Sequence, residues 1–177
     1  MCVSDNLNLK PFTEALQWFD CKTAIEMGIG WGQVGMWIKT HYPAISIDGV
    51  EIWKDYKTDN WSFYNKIYLR NITRVLDELP MYDAVLLPDV LEHFERKEAM
   101  KVWNKCHKIA KKILLVSLPI YGYEQGATQG NPYQRHRTQF NEQDWLNEGC
   151  VTLAKNNVVG VFVKNLTKQM ETAEVIQ

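Results

Sequence analysis

Residues 23–32 read Thr-Ala-Ile-Glu-Met-Gly-Ile-Gly-Trp-Gly, and this stretch decides the predicted fold. A short apolar run carries one acid, Glu26, and Gly28, Gly30 and Gly32 follow at alternate positions. Glycine adopts positive φ without strain and lets a backbone approach a ligand closely. The pattern therefore predicts a strand, a tight ligand-binding turn and then a helix.

A second acid, Glu51, ends the next apolar run, 23 residues after Gly28. An acid at about this distance beyond a glycine turn is placed to accept hydrogen bonds from the hydroxyls of a bound ribose. The glycine turn and the two acids together predict a site for a cofactor that contains a nucleoside.

Apolar runs alternate with helical patterns along the rest of the chain, which predicts an α/β fold with a mostly parallel sheet. Helices are expected at residues 11–19, from the glycine turn to residue 40, at 95–110, and briefly between Asn141 and Gly149. Strands are expected at residues 24–27, 44–50, 67–69, 83–87, 112–118, 151–154 and 158–163. The last two predict an antiparallel hairpin, because Asn156-Asn157 suits a tight turn. We therefore expect one domain, residues 1–177, built on a three-layer Rossmann-like sheet of about seven strands.

The composition limits the possible classes of function. The net charge of the 177 residues is −1, so the chain shows no strong nucleic-acid signal. No apolar run approaches the ~20 residues of a membrane span, and residues 1–10 lack the apolar core of a signal peptide. Four scattered cysteines without a CxxC pair predict reduced thiols and no metal site. These features favour a cytoplasmic protein and leave its oligomeric state open.

The segment from residue 120 to residue 139 has no clear periodicity. A loop of about 20 residues inside a compact domain is usually functional or disordered. It contains Tyr123, Tyr133 and His136, whose side chains are suited to ligand contacts. Apart from an N-terminal helical segment, residues 1–22, it is the main stretch left for a substrate cap. We expect it to cover the pocket and to select the substrate.

The order of these motifs resembles the class I, Rossmann-like S-adenosylmethionine-dependent methyltransferases over about residues 23–163. Glu26-Met-Gly-Ile-Gly-Trp-Gly32 is similar to the acid-x-Gly-x-Gly-x-Gly loop of that family, and Gly49-Val-Glu51 to its second-strand acid. Residues 82–94, Tyr-Asp-Ala-Val-Leu-Leu-Pro-Asp-Val-Leu-Glu-His-Phe, resemble the fourth strand and the following segment of many small-molecule methyltransferases. The resemblance implies S-adenosylmethionine as cofactor and S-adenosylhomocysteine (SAH) as product.

The resemblance also implies roles for residues around the cofactor. Glu26 would orient its methionine end, directly or through water, while Gly28 and Gly30 let the backbone approach. Glu51 would accept both ribose hydroxyls, and Ile52 would pack on the adenine. Trp53 could share that packing or serve as an ordinary core or surface aromatic.

The resemblance implies roles for three further residues. Asn71 and Ile72 stand where the family often has an acid that contacts the adenine amino group, and the Asn71 amide oxygen could still accept from it. Asp89 follows the fourth strand at the sheet edge where such folds bind ligands, and it could contact cofactor or substrate or hold a turn.

Two histidines are candidates for the catalytic base. His93 or His136 could take a proton from an acceptor hydroxyl, and each could instead be structural. Arg135 and Arg137 flank His136 and could bind an anionic substrate or remain solvated. The two histidines give a slight preference for an oxygen acceptor, such as a glycan or another small molecule.

Three functions stay open at this point. The leading one is methyl transfer to a small or medium-sized acceptor. The second is a non-catalytic module that binds the cofactor or a partner protein. The third is a nicotinamide-dependent oxidoreductase, because dinucleotide-binding folds share the glycine turn; the acid two residues before Gly28 favours the methyltransferase. No (Asp/Asn/Ser)-Pro-Pro-Tyr segment or Pro-Cys pair follows the fourth strand, which disfavours methylation of nucleic-acid bases.

Overall fold

A computed structural model of the chain describes residues 7–122, 124–127 and 130–167. Seven strands form one sheet in the order β3-β2-β1-β4-β5-β7-β6. They are β1 (Thr23–Met27), β2 (Ser46–Glu51), β3 (Lys66–Leu69), β4 (Tyr82–Pro88), β5 (Ala110–Pro119), β6 (Val151–Lys155) and β7 (Val159–Asn165). The first five are parallel, and β7 runs antiparallel to both β5 and β6. The predicted mostly parallel sheet with a terminal antiparallel hairpin is confirmed.

Helices cover both faces of this sheet. They are α1 (Leu9–Trp18), α2 (Gln33–His41), α3 (Ile72–Val75), α4 (Arg96–Ile109) and α5 (Glu142–Asn147). Because side chains alternate across a strand, Leu86 of β4 packs with α1 and α2, whereas Val85 and Leu87 pack with α4. Two apolar cores therefore lie on opposite faces, which gives the predicted three layers.

The helix ends follow local sequence signals. The Asn141 side chain accepts a hydrogen bond from the Asp144 N–H at 3.1 Å, and the Asp144 carboxylate accepts from the Asn141 N–H at 2.9 Å. This capping box begins α5, and Gly149, with φ +74°, follows its end. The predicted cap and terminator of this short helix are confirmed.

Several local elements differ from the prediction. The connection from β2 to β3 forms two 3₁₀ helices, Lys54–Tyr56 and Asp59–Phe63, which the sequence pattern did not indicate. A third follows β4 at Leu91–His93, and a fourth lies at Pro132–Gln134. Such short turns carry too few residues to show a hydrophobic period.

The topology determines where a ligand can bind. The connection after β1 leads to β2 on one side and the connection after β4 leads to β5 on the other, so the strand order has a switch point between β1 and β4. Glu26 pairs in register with Gly49 on β2 and with Leu86 on β4, so the three strands end at one edge. The glycine turn, Glu51 and Asp89 therefore lie at the same edge.

Two simpler expectations can also be compared with the described segments. No helix there combines the length and apolar character needed to cross a membrane. Cys21, Cys106 and Cys150 are buried and free, as predicted, and Cys2 lies outside the described residues.

Candidate functional site

A cleft opens at the carboxyl edge of the sheet, beside the switch point between β1 and β4. The predicted site residues that line it are Gly28, Gly30, Glu51, Ile52, Asn71, Ile72, Asp89 and His93. Other lining residues are Val50, Tyr56, Val90, Phe94, Asn131, Tyr133 and Gln134. Three predicted site residues, Glu26, Gly32 and His136, are not part of this lining.

The glycine turn holds the backbone against the cleft. The N–H groups of Gly28 and Ile29 donate to the Val50 carbonyl at 2.8 and 3.1 Å, which ties the turn to β2. Gly28 has φ +73°, and a Cβ there would lie 2.9 Å from Val90 Cγ2. A Cβ on Gly30, with φ +49°, would meet no atom within 4 Å. Gly28 is therefore required by close packing, whereas Gly30 leaves the cleft open.

Glu51 is held by backbone donors. Its Oε2 accepts from the Gly30 N–H at 2.8 Å, and its Oε1 accepts from the N–H groups of Ile52 and Trp53 at 2.9 and 2.7 Å. Burial raises the pKa of Glu51, and the three backbone hydrogen bonds oppose that rise. A carboxylate has about four lone-pair sites, so one lone pair on Oε2 remains. The predicted contact with both ribose hydroxyls stays a prediction, and the remaining lone pair supports a contact with one of them.

Glu26 lies beneath the turn, where it is only 1% exposed. The Tyr64 hydroxyl donates to Glu26 Oε2 at 2.7 Å, and the Gly35 N–H donates to the Tyr64 oxygen at 3.1 Å. Burial raises the pKa of Glu26 to about 8, although the Tyr64 hydrogen bond opposes the rise. The carboxyl is therefore mostly protonated at neutral pH. Its predicted role in orienting the methionine end of the cofactor stays a prediction. Because Glu26 does not line the cleft, it would act on the cofactor through water.

Tyr64 is a structural residue of the site that the sequence did not indicate. A Cβ on Gly35 would lie no more than 2.7 Å from the Cζ, Oη and Cε1 atoms of Tyr64, and one on Gly49 would lie 3.0 Å from its Cδ1. The two glycines therefore make room for the ring between α2 and β2. The sequence signal for such a packed ring was the presence of Gly35 within a helix and Gly49 within a strand, two positions where glycine is destabilising unless space is needed.

The outer side of the glycine turn is covered by residues 58–61. Trp61 Nε1 donates to the Gly30 carbonyl at 2.8 Å, and the Thr58 hydroxyl donates to the Trp31 carbonyl at 2.8 Å. A Cβ on Gly32 would lie 3.0 Å from Asn60 Cβ and 3.1 Å from Trp61 Cδ1. Gly32 therefore accommodates this segment, and its predicted place beside the cofactor stays a prediction.

Asn71 lines the cleft and also caps α3. Its Oδ1 accepts from both the N–H and the hydroxyl of Thr73 at 2.8 Å, which caps α3. Both lone pairs of the amide oxygen are thus used. The Nδ2 group is therefore the part of the amide that remains available to a ligand, and the predicted contact of the oxygen with an adenine amino group stays a prediction.

Asp89 carries backbone strain at the end of β4. It has φ +50°, one of two positive values among the described non-glycine residues, and its N–H donates to the Ser117 carbonyl at 2.8 Å. Strain of this kind concentrates at ligand sites. The position agrees with the predicted contact with cofactor or substrate, which stays a prediction.

Residues 131, 133 and 134 of the 120–139 loop line the cleft. Asn131, only 1% exposed, donates from Nδ2 to the Tyr56 hydroxyl at 3.0 Å and accepts from the Tyr133 N–H at 2.9 Å. The rings of Tyr133 and Trp53 meet edge to face at 6.2 Å between centroids. These contacts place Tyr133 on the cleft, as expected, whereas Tyr123 lies outside the described residues.

A second anchor joins the loop to the turn after β4. The Arg137 and Thr138 N–H groups donate to the Glu92 carbonyl at 2.8 and 3.1 Å. This brings the His136 ring to 5.1 Å from the His93 ring, between centroids. Burial lowers the pKa of His93 to about 4, so its ring is neutral at pH 7. The predicted bases therefore form a pair, with His93 on the cleft and His136 beyond it.

Several charged side chains lie near the His93–His136 pair. Arg137 forms an ion pair with Glu95 at 3.6 Å, and both side chains are about half exposed or more. His136, Arg135 and Arg137 line an open groove next to the cleft. Glu92 is buried next to His93, and burial together with the charge of Asp89 raises its pKa well above the usual range.

Comparison with solved structures places this geometry in a known fold. An O-methyltransferase family protein from Burkholderia thailandensis superposes with a TM-score of 0.65 at 13% identity, over 88% of this chain and 55% of that one. The methyltransferase domain of bacterial CtHen1-C gives a TM-score of 0.67 at 13% identity, over 90% of this chain and 96% of that one. The chain has the class I methyltransferase fold.

A third match has the cofactor product in place. Magnesium protoporphyrin IX methyltransferase (ChlM) from Synechocystis PCC 6803 with bound SAH has a TM-score of 0.64 at 14% identity, over 89% of this chain and 81% of that one. The present chain spans only about half the length of the Burkholderia protein. The sequence matches no protein-family model and no curated protein.

Proposed function

We propose that the chain is an S-adenosylmethionine-dependent methyltransferase that acts on a small or medium-sized acceptor and releases SAH. A fold alone hosts many functions, so the proposal depends on the site. The observation that carries it is the cleft lined by Gly28, Gly30, Glu51 and Asn71 together with residues 131, 133 and 134 of the 120–139 loop. Solved structures with this fold that hold SAH support the choice of cofactor.

The cofactor's adenosine would lie between the ends of β2 and β3. One ribose hydroxyl would donate to the remaining lone pair of Glu51 Oε2, and Asn71 Nδ2 would donate to an adenine ring nitrogen. Ile52 and Ile72 supply apolar contacts for the base. The methionine end would then extend along Gly28 and Gly30.

The acceptor would enter on the side of His93, beneath the 120–139 loop. The sulfonium of the donor is already activated, so the protein mainly aligns nucleophile, methyl carbon and sulfur. A hydroxyl acceptor must also lose its proton. The imidazoles of this pair can help in two ways, by accepting that proton or by ligating a cation that lowers the hydroxyl's pKa.

The Glu51→Ala substitution is expected to weaken SAH binding by roughly 1–3 kcal/mol, or about 5- to 150-fold. The variant loses the ribose acceptor and leaves the Gly30, Ile52 and Trp53 N–H groups without their carboxylate. Calorimetric titration of the purified chain with SAH measures the change.

Asp83→Ala is a matched control for this loss. The Asp83 carboxylate also accepts from two backbone N–H groups, those of Lys22 and Thr23 at 2.8 and 3.3 Å, but at the opposite edge of the sheet. It should leave SAH affinity unchanged. Equal loss in both variants would assign the effect to the stability of the fold, and no loss in a folded Glu51→Ala variant would remove Glu51 from the site.

The same titration separates the three functions considered. Binding of SAH without binding of NAD excludes the nicotinamide-dependent oxidoreductase. A screen of acceptors with labelled methyl donor then distinguishes an enzyme from a non-catalytic module, since the module binds SAH and transfers no methyl group. No binding of SAH would contradict the proposed function.

His93→Ala and His136→Ala are expected to keep SAH affinity within about twofold and to lower turnover at least tenfold on the acceptor found by that screen. His41→Ala, which removes an exposed imidazole on α2, serves as the control. A turnover that stays unchanged in both variants would remove the pair from the acceptor site.

The location and the domain bounds stay predictions from the sequence. We propose a cytoplasmic protein with a single domain, in which the 120–139 loop selects the acceptor. Its anchors on Tyr56 and Glu92 support that role for the loop.

A further inference from the structure

Three side chains with metal-binding atoms converge where the 120–139 loop meets the turn after β4. Glu92, His93 and His136 each offer one ligand atom, and these atoms all lie within 4.8 Å of one another. Glu92 and His93 come from the 3₁₀ helix Leu91–His93, and His136 comes from the loop. The hydrogen bonds from Arg137 and Thr138 to the Glu92 carbonyl keep the two segments together.

The Glu92 carboxylate points to a missing partner. Its side chain is buried, with only 2% of the residue exposed, and neither oxygen has a hydrogen-bond partner in the part of the chain that the structure describes. A buried carboxyl group without a hydrogen-bond partner is costly in either protonation state, and proteins normally pair it with a cation or a donor. No lysine or arginine ion pair reaches Glu92 among the described residues.

His93 has the orientation expected of a metal ligand. Its Nδ1 lies 3.3 Å from the Arg135 carbonyl. A carbonyl can only accept, so this contact assigns the ring proton to Nδ1 and leaves a lone pair on Nε2. Ligating histidines usually donate their other N–H to a carbonyl or carboxylate in this way.

We propose that Glu92, His93 and His136 bind one divalent transition-metal ion at the acceptor side of the cleft. Two imidazoles with one carboxylate favour transition metals such as Zn²⁺, Co²⁺ or Fe²⁺ over Mg²⁺ or Ca²⁺. With metal–ligand bonds of about 2.1 Å, neighbouring ligand atoms are roughly 3 Å apart. Closing from 4.8 Å therefore requires a modest rotation of side chains, which the loop position of His136 permits.

The sequence predicted no metal site, and this proposal replaces that expectation. The prediction rested on the cysteines, whereas the proposed ligands are histidine and glutamate. Glu92 and His93 are adjacent, but His136 lies 43 residues beyond His93. A separation of that length does not match a recognisable sequence spacing of metal ligands.

The role of the cation rests on the proposed function. A hydroxyl bound to it would have a lowered pKa and lose its proton to water. The resulting oxygen would form a bond to the methyl carbon while the sulfur–methyl bond breaks, and the bonding electron pair would stay on sulfur as the neutral thioether of SAH. The two imidazoles would then hold the cation, and neither would act as the base.

Titration of the full chain with Co²⁺ tests the site. The protein is first stripped with a chelator, and binding is followed by the visible absorption of the metal. We expect one equivalent to bind, and His136→Ala and Glu92→Gln each to weaken binding at least tenfold. His41→Ala should bind as the wild type does. Thermal melting confirms that each variant is folded, and Glu92→Gln preserves the side-chain volume.

Three results would overturn the metal site. They are no binding to the wild type, equal binding by His136→Ala and His41→Ala, and a thiolate-to-cobalt absorption band, which would place the ion on a cysteine. A parallel SAH titration of the stripped protein separates the two proposals. SAH binding without Co²⁺ binding overturns only the metal site. Co²⁺ binding lost in His136→Ala supports the site, even if failure to bind SAH contradicts the proposed function.

Discussion

The Glu26→Gln variant is expected to be more stable than the wild type at about pH 9, by on the order of 5 kcal/mol, and nearly equal in stability at about pH 4.5. Glu26 is buried, and its pKa is raised from 4.5 to about 8. A shift of one pKa unit corresponds to about 1.4 kcal/mol. Glutamine resembles the neutral acid in shape and can still accept the hydrogen bond of the Tyr64 hydroxyl.

The direction of this pH dependence follows from proton binding. Between about pH 4.5 and pH 8, folded Glu26 keeps its proton and the unfolded chain has lost it. The wild type therefore loses stability as the pH rises through this window and loses no more from Glu26 above it. The glutamine variant lacks this contribution, so the difference between the two proteins isolates Glu26 from other buried acids such as Glu92.

Denaturant unfolding at the two pH values measures the effect. Glu14→Gln, the same change on an exposed side chain of α1, is the control and should alter neither midpoint. If Glu26→Gln were less stable than the wild type at both pH values, the native carboxylate would be held in its ionised form, and burial would not raise its pKa.

Gly35→Ala is expected to destabilise the chain by about 2–4 kcal/mol, which lowers the melting temperature by roughly 5–15 °C. The new Cβ would lie no more than 2.7 Å from three atoms of Tyr64, whose ring is buried. Moving that ring breaks its hydrogen bonds with Glu26 and with the Gly35 N–H. Alanine recovers only about 0.5–1 kcal/mol through its higher helix propensity.

Two comparisons make the cause of this loss testable by thermal unfolding. Gly126→Ala, at an open loop position where a Cβ meets no atom within 4 Å, should leave the melting temperature unchanged. In a Tyr64→Ala background, Gly35→Ala should be neutral or slightly stabilising, because the clash is gone. An additive loss in the double variant would contradict the proposed contact.

Both predictions concern the support beneath the glycine turn. Tyr64 connects Glu26 of β1 to the first turn of α2, and Trp61 and Glu51 hold the Gly30 peptide from two other sides. We expect that substitutions at Glu26, Tyr64 or Trp61 also lower SAH affinity, although none of these three residues lines the cleft.

The sequence predicted most of the fold because its signals are local. The apolar runs of β1, β2, β4 and β5 and the helical period of α4 each extend over a few successive residues. The glycine turn could be located for the same reason, since positive φ at Gly28 and Gly30 is a property of single positions. Motif order then placed Glu51, Asn71 and Asp89 at one sheet edge.

Only the tertiary structure decided how those residues are used. The Asn71 oxygen caps α3, three backbone N–H groups donate to Glu51, and Gly32 packs against Asn60 and Trp61. Each of these outcomes depends on hydrogen-bond partners rather than on residue type.

The sequence by itself therefore determined the sheet, the glycine turn and the edge at which a ligand can bind. The tertiary structure decided that Tyr64 lies under Glu26, that Asn131 holds Tyr56, and that His136 meets Glu92 and His93. The physical reason is that strands and turns are specified by neighbouring residues, whereas these contacts join side chains 38 to 75 positions apart or close a long loop, and such contacts leave no period in the sequence.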